Sequence, residues 1–214
     1  KAWMFRNGML GAGRLNQDDM LAVVEAYMRK AAGVRGDGDA KYSMVRVNVP
    51  DAIIANPLGD AASDPNHDKA KAGDSIAGMR LALKLVTPDL IEQLRGIENP
   101  IVLGVVSVEA TGRNKIPDAA ATLIAKALGA EKANGITQSS SPKRTQMDGL
   151  GRIFNRPEFS GVVEAGRNYI MVDDTITQGG TFASLAQHIE AGGGNVAAAV
   201  ALTGKQYSRI ITPS

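Results

Sequence analysis

An α/β fold is predicted, a parallel sheet flanked by helices and preceded by a mostly helical N-terminal extension. Three observations predict it. The apolar runs at 101–108, 169–172 and 196–202 have the unbroken hydrophobicity of strands buried on both faces. Helical patterns at 117–128 and 181–191 alternate with them, and strand–helix–strand repetition implies parallel pairing with covering helices. A length of 214 residues, 44% hydrophobic and 21% charged, suits a globular domain rather than a disordered chain.

In chain order, 17–32 reads as an amphipathic helix with Met20, Val24, Tyr27, Met28 and Ala31 on one face, Asn16 as N-cap and Gly33 as its stop. Residues 42–49 alternate as a strand, with Val45, Val47 and Val49 on one side. The Asp-, Asn-, Pro- and Gly-rich stretch 55–74 reads as a long polar loop, with Asp60, Asp64 and Asp68 as solvated acids. A helix follows at about 74–86, with Ile76, Met79 and Leu83 on one side, and Thr87-Pro88-Asp89 starts another. Pro117–Leu128 is closed by Gly129, a short strand is expected at 134–138, and 139–167 lacks clear periodicity. The helix at 181–191 turns Phe182, Leu185 and Ile189 to the core.

Composition excludes several functions. Lys plus Arg is 24 and Asp plus Glu is 22, a net charge of 24 − 22 = +2, which gives no electrostatic case for nucleic-acid binding. With no cysteine, thiolate catalysis and Cys–zinc sites are absent, and the two histidines, His67 and His188, are far apart. Aromatics at 4% argue against base-stacking platforms. No apolar run reaches the roughly 20 residues of a membrane span and no signal peptide is visible, so the expectation is a cytoplasmic protein without membrane partners.

Ligands of such sheets bind beyond the carboxyl ends of the strands. The richest such segment runs from Tyr169 to Thr181. An apolar strand leads into Asp173-Asp174, then Thr175, Ile176, Thr177, Gln178, Gly179, Gly180 and Thr181 lead into a helix. Glycine-rich backbone, hydroxyls and a helix N-terminus make a phosphate cradle. The two carboxylates would repel that phosphate but suit a neighbouring polyol or a divalent cation. Together the parts describe a sugar phosphate.

This segment resembles the phosphoribosyl-diphosphate (PRPP) motif of type I phosphoribosyltransferases. The resemblance covers 101–203 and is closest to adenine-type and ComF-like members. It extends to Glu109-Ala110-Thr111-Gly112-Arg113-Asn114 after the first core strand, and to the basic, Gly- and Ser-rich segment 139–156 with Lys143 and Arg144. It implies a single domain over 1–214, with 101–204 as the PRPP-binding core; 1–100 is an extension and candidate hood that matches no acceptor-binding hood of the family, so the donor is legible and the acceptor is not. It further implies a Mg²⁺ ion held by Asp173 and Asp174 directly or through water, with these acids on the ribose hydroxyls. Thr175–Thr181 would bind the 5-phosphate. Ala110, Thr111, Gly112, Arg113 and Asn114 would bind pyrophosphate, and Lys143 and Arg144 would stabilise it as it leaves. Thr177 stands where hypoxanthine-guanine enzymes carry an Asp, so their purine-activating base is missing.

The implied function is transfer of ribose 5-phosphate from PRPP to a nitrogen of a small-molecule acceptor such as a nucleobase, in a homodimer. The alternatives are a PRPP- or nucleotide-sensing regulator of the same fold, or a module of a larger protein, the latter suggested by a chain that begins at Lys1.

Overall fold

The structure, a computed structural model, describes residues 49–106, 108–109, 112–139, 157–177 and 179–211. The helix expected at 17–32 and nearly all of the strand expected at 42–49 lie outside the described residues.

Five strands form one parallel sheet: β1 (Ile53–Pro57), β2 (Pro100–Gly104), β5 (Glu131–Lys132), β8 (Asn168–Ile176) and β9 (Asn195–Gly204), in the order β1-β9-β8-β2-β5. Two small antiparallel pairs accompany it, β3 (Val108–Glu109) with β4 (Gly112–Arg113), and β6 (Thr137–Ser139) with β7 (Glu158–Ser160). The helices are α1 (His67–Lys71), α2 (Ser75–Leu85), α3 (Pro88–Leu94), α4 (Ile116–Leu128) and α5 (Gly180–Ala191), and a 3₁₀ turn spans Gln206–Arg209. The predicted class is the observed one.

Alternation sorts the core into two layers. Val102, Ile170, Val172, Ala198, Val200 and Leu202 pack on one face with Ala70, Leu81, Leu90, Ile116 and Ile124, so α1–α4 cover that side. Ile101, Leu103, Tyr169, Met171, Ala199 and Ala201 pack on the other with Phe182, Leu185 and Ile189 of α5. Each leucine or isoleucine so buried contributes about 1.5–3 kcal/mol. β2 and β8 are adjacent, yet the chain leaves β2 toward α4 on one face and leaves β8 toward α5 on the other. Such a parting of connections opens a crevice at the carboxyl ends of the two strands.

Two expectations need correction. The stretch 55–74 is not a continuous loop. Its start lies in β1, where the Asn56 side-chain amide donates to Leu85 O at 2.8 Å and Leu202 O at 2.9 Å, and His67–Lys71 is helical. Asp64 is not solvated. Its side chain is 8% exposed and meets Lys84 Nζ at 2.5 Å, and hydrogen bonds from Lys84, then from the Asn66 backbone and side chain, hold its carboxyl down at about 2.

Helix α2 buries Ala77, Gly78, Leu81, Ala82 and Leu85, while Ile76 and Leu83 are 67% and 63% exposed. Gly78 explains the choice of face, because a Cβ there would lie 3.0 Å from Lys115 Cβ, so the small-residue side approaches α4 most closely. The starts of α2 and α3 follow their caps. Asp74 accepts from the amides of Ile76 and Ala77, and Thr87 accepts from Leu90 N–H with Pro88 in the first turn, as expected.

Candidate functional site

Asp173 and Asp174 lie on the central strand itself, which continues to Ile176, rather than in a loop after Val172. Alternation puts Asp174 on the face of Ile170 and Val172, toward α1 and α4. Its Oδ2 accepts from Asn114 Nδ2 at 2.9 Å and lies 3.5 Å from Lys71 Nζ. Asn114 is 2% exposed, and its Oδ1 accepts the Ile116 amide at 3.1 Å at the start of α4. One side chain therefore ties the loop after β2, the first turn of α4 and the carboxylate of β8 together.

Asp173 Oδ1 accepts the Asp174 backbone N–H at 2.8 Å. Burial, and secondly the charge of Asp174, push the Asp173 carboxyl well above the usual carboxylate range, against the opposing pull of that backbone N–H and of Lys71. At the strand end, Thr203 Oγ1 donates to Asp174 O at 3.1 Å and lies 2.9 Å from Thr175 Oγ1. Since the Thr203 proton goes to the carbonyl, Thr175 donates to Thr203. The Thr175 hydroxyl proton is thus already engaged.

The phosphate segment is shorter than its sequence suggests. Thr175 and Ile176 belong to β8, and Ile176 is buried in the α5 layer. Thr177 is exposed, and Gln178 lies outside the described residues. Gly179 is left-handed (φ 71°) and serves as the N-cap of α5, with no side-chain bond to the first amides. Gly180 and Thr181 open the helix, partly exposed. Of the expected phosphate segment, Thr177 and the first turn of α5 thus remain outside β8 among the described residues.

The expected pyrophosphate loop is a tight β3–β4 hairpin, with Val108 opposite Arg113 and Glu109 opposite Gly112. Ala110, Thr111, Lys143 and Arg144 lie outside the described residues. Arg113 is exposed. Asn114 has turned inward to hold Asp174. Gly112 (φ 141°) is required by packing, because a Cβ would lie 2.5 Å from Ala72 O. That close approach, with Lys115 N–H donating to Ala70 O at 3.1 Å, pins α1 against the hairpin and brings Lys71 to the acid.

Lys71 is the site residue that the sequence reading missed. Its signal was the Gly- and Pro-free run His67–Lys71 between Pro65 and Gly73.

The Mg²⁺ expectation can be tested against these atoms. Among the described residues no group of three or more His, Cys, Asp or Glu could hold a metal ion. Asp174 Oδ2 already receives an amide N–H and stands beside an ammonium. An oxygen so engaged does not fit as a direct ligand of a small hard cation. Among the described residues no helix is long and apolar enough to cross a membrane.

No family model matches the chain. It is similar to Protein TraN of Escherichia coli, 39% identical over 157 residues, covering 72% of this chain and 35% of that protein. It is also similar to an uncharacterized protein of Haemophilus influenzae, 41% identical over 143 residues, covering 65% of this chain and 32% of that protein. The chain spans about a third of the length of these curated relatives.

Among solved structures, it is similar to adenine phosphoribosyltransferase from Saccharomyces cerevisiae at 18% identity, over 69% of this chain and 73% of that one, with a TM-score of 0.37. The adenine phosphoribosyltransferase from Rhodothermus marinus gives 16% identity, 59% and 78% coverage, and a TM-score of 0.40. An allosteric regulatory enzyme of purine biosynthesis gives 21% identity, 72% and 31% coverage, and a TM-score of 0.36.

Proposed function

We propose that the chain binds PRPP at the carboxyl ends of β2 and β8 and transfers ribose 5-phosphate to a nitrogen of a small-molecule acceptor. The observation that carries this reading is Asp174: a carboxylate on the central strand, at the point where the connections part, fixed by Asn114 and lying a few residues before the start of α5. A carboxylate accepts hydrogen bonds from vicinal hydroxyls, and the amides of the first turn of α5 suit a phosphate. One ligand carrying both groups is a sugar phosphate.

On this reading Asp174 orients the ribose hydroxyls and the Thr177–Thr181 turn binds the 5-phosphate. Arg113, with Lys143 and Arg144, stabilises charge as the bond from C1 to pyrophosphate breaks and a bond from C1 to the acceptor nitrogen forms. Catalysis comes from positioning and leaving-group stabilisation. Magnesium, in this proposal, arrives with the diphosphate rather than residing on the two acids. The working form is a cytoplasmic homodimer.

A second reading, a PRPP- or nucleotide-sensing regulator, is favoured by one observation: Asp174 already has Lys71 as a cationic partner, which suits holding a ligand as well as turning it over.

Pyrophosphate release from PRPP with a panel of nucleobases, alongside melting with PRPP, separates these readings. The enzyme releases pyrophosphate with one acceptor, and Asp174→Asn abolishes release while keeping the fold. Ligand at 100 times its Kd stabilises by about 2.7 kcal/mol. Stabilisation without release favours the regulator. Wild-type turnover by Asp174→Asn refutes the site.

A further inference from the structure

We propose that Lys71 is the built-in cation of the Asp174 carboxylate and keeps divalent metal off it, so that a sugar phosphate binds there without metal. The second clause rests on the sugar-phosphate reading above, whereas the first stands on the protein alone. Asp174 Oδ2 receives Asn114 Nδ2 at 2.9 Å and faces Lys71 Nζ at 3.5 Å. A divalent cation on that oxygen would need to come within about 2.0–2.1 Å of it if magnesium, displacing the amide and approaching an ammonium of like sign.

Nor is Lys71 a loosely placed surface cation. Its side chain is 31% exposed and that of Asp174 is 13% exposed. Its backbone belongs to α1, which is pinned by Lys115 N–H on Ala70 O and by the close approach of Gly112 to Ala72 O. With Oδ2 engaged by nitrogen donors, hydroxyls would donate to Oδ1, where the adjacent Lys71 charge still opposes a divalent cation. A diol needs nothing more, since both of its O–H groups can donate.

The test uses the full chain and two probes. Mn²⁺ titrations followed by electron paramagnetic resonance compare wild type with Lys71→Met, Lys71→Gln and Lys71→Arg. The neutral variants should bind Mn²⁺ at least ten-fold tighter, Lys71→Arg should behave as wild type, and adding Asp174→Asn to Lys71→Met should remove the gain. Equal Mn²⁺ affinity in wild type and both neutral variants overturns the proposal.

Calorimetry with ribose 5-phosphate, in EDTA and in Mg²⁺, is the second arm. Wild-type affinity should change less than three-fold between the two, while Lys71→Met should require Mg²⁺. Wild-type binding that appears only with Mg²⁺ overturns the metal-free clause. Absence of ribose 5-phosphate binding in every protein and condition refutes the sugar-phosphate reading and that clause with it, and the Mn²⁺ titration still decides Lys71.

Discussion

Replacing Asn114 by alanine should cost far more stability than its small side chain suggests. The amide donates to the Asp174 carboxylate at 2.9 Å and its oxygen accepts the Ile116 N–H at 3.1 Å, at 2% exposure. A hydrogen bond to a charged group is worth about 1.5–3 kcal/mol and a neutral one about 0.5–1.5 kcal/mol. Ile116 is fully buried, so its amide would find no replacement partner in solvent. The combined loss should be about 2–4 kcal/mol, or about 4–16 °C in Tm for a chain of this size. Chemical denaturation of Asn114→Ala measures it.

Asn114→Asp refines the test. It keeps the acceptor for Ile116 but sets a second carboxylate beside Asp174, so it should be the worse variant at pH 7. Adding Asp174→Asn should recover about 1–2 kcal/mol through coupling. An Asn114→Ala protein within about 0.5 kcal/mol of wild type, or an Asn114→Asp variant unaffected by Asp174→Asn, would refute the reasoning.

Two further predictions concern neighbouring residues. Burial raises the folded-state pKa of Asp173 above the ordinary 3.8, so its contribution to stability is complete below that value and is lost as pH rises through the folded value. Asp173→Asn should therefore gain on wild type as pH increases above 3.8 in melting experiments, and a wild-type advantage that grows with pH contradicts the burial argument. Gly112→Ala should lose about 1–3 kcal/mol in urea titration, through its φ of 141° and a Cβ 2.5 Å from Ala72 O; unchanged stability would mean that α1 is not held by that contact.

What the sequence disclosed was what is local in it. The acid pair, the glycine turn and the start of α5 are contiguous, so they were legible without knowing what packs where. The runs at 101–108, 169–172 and 196–202 declared the sheet interior for the same reason. Strand β1 was hidden by Asn56 and Pro57, which look like loop residues until the Asn56 amide is seen bonding Leu85 O and Leu202 O. The buried face of helix α2 has no local signal, because Ile76, Met79 and Leu83 form a stripe as regular as the buried Ala77, Leu81 and Leu85, and the close approach at Gly78 goes with the latter. The bond from Asn114 to the carboxylate of a strand 60 residues away has no local signal either. Lys71 was overlooked because its role exists only once α1 is packed on the hairpin. Long-range contacts leave no local periodicity to read.

The strand carrying the two acids separates them more than their numbering implies. Side chains at successive strand positions leave on opposite sides, so Asp174 answers to the layer of α1 and α4 and Asp173 to the layer of α5. Neighbours along the chain thus become tenants of different halves of the molecule. A substitution on the α1 and α4 side that alters the charge of Asp174 or Lys71 therefore reaches Asp173 as well, because both charges act across the strand on its carboxyl. A two-letter motif is, in three dimensions, a coupled pair set from the two sides of one sheet.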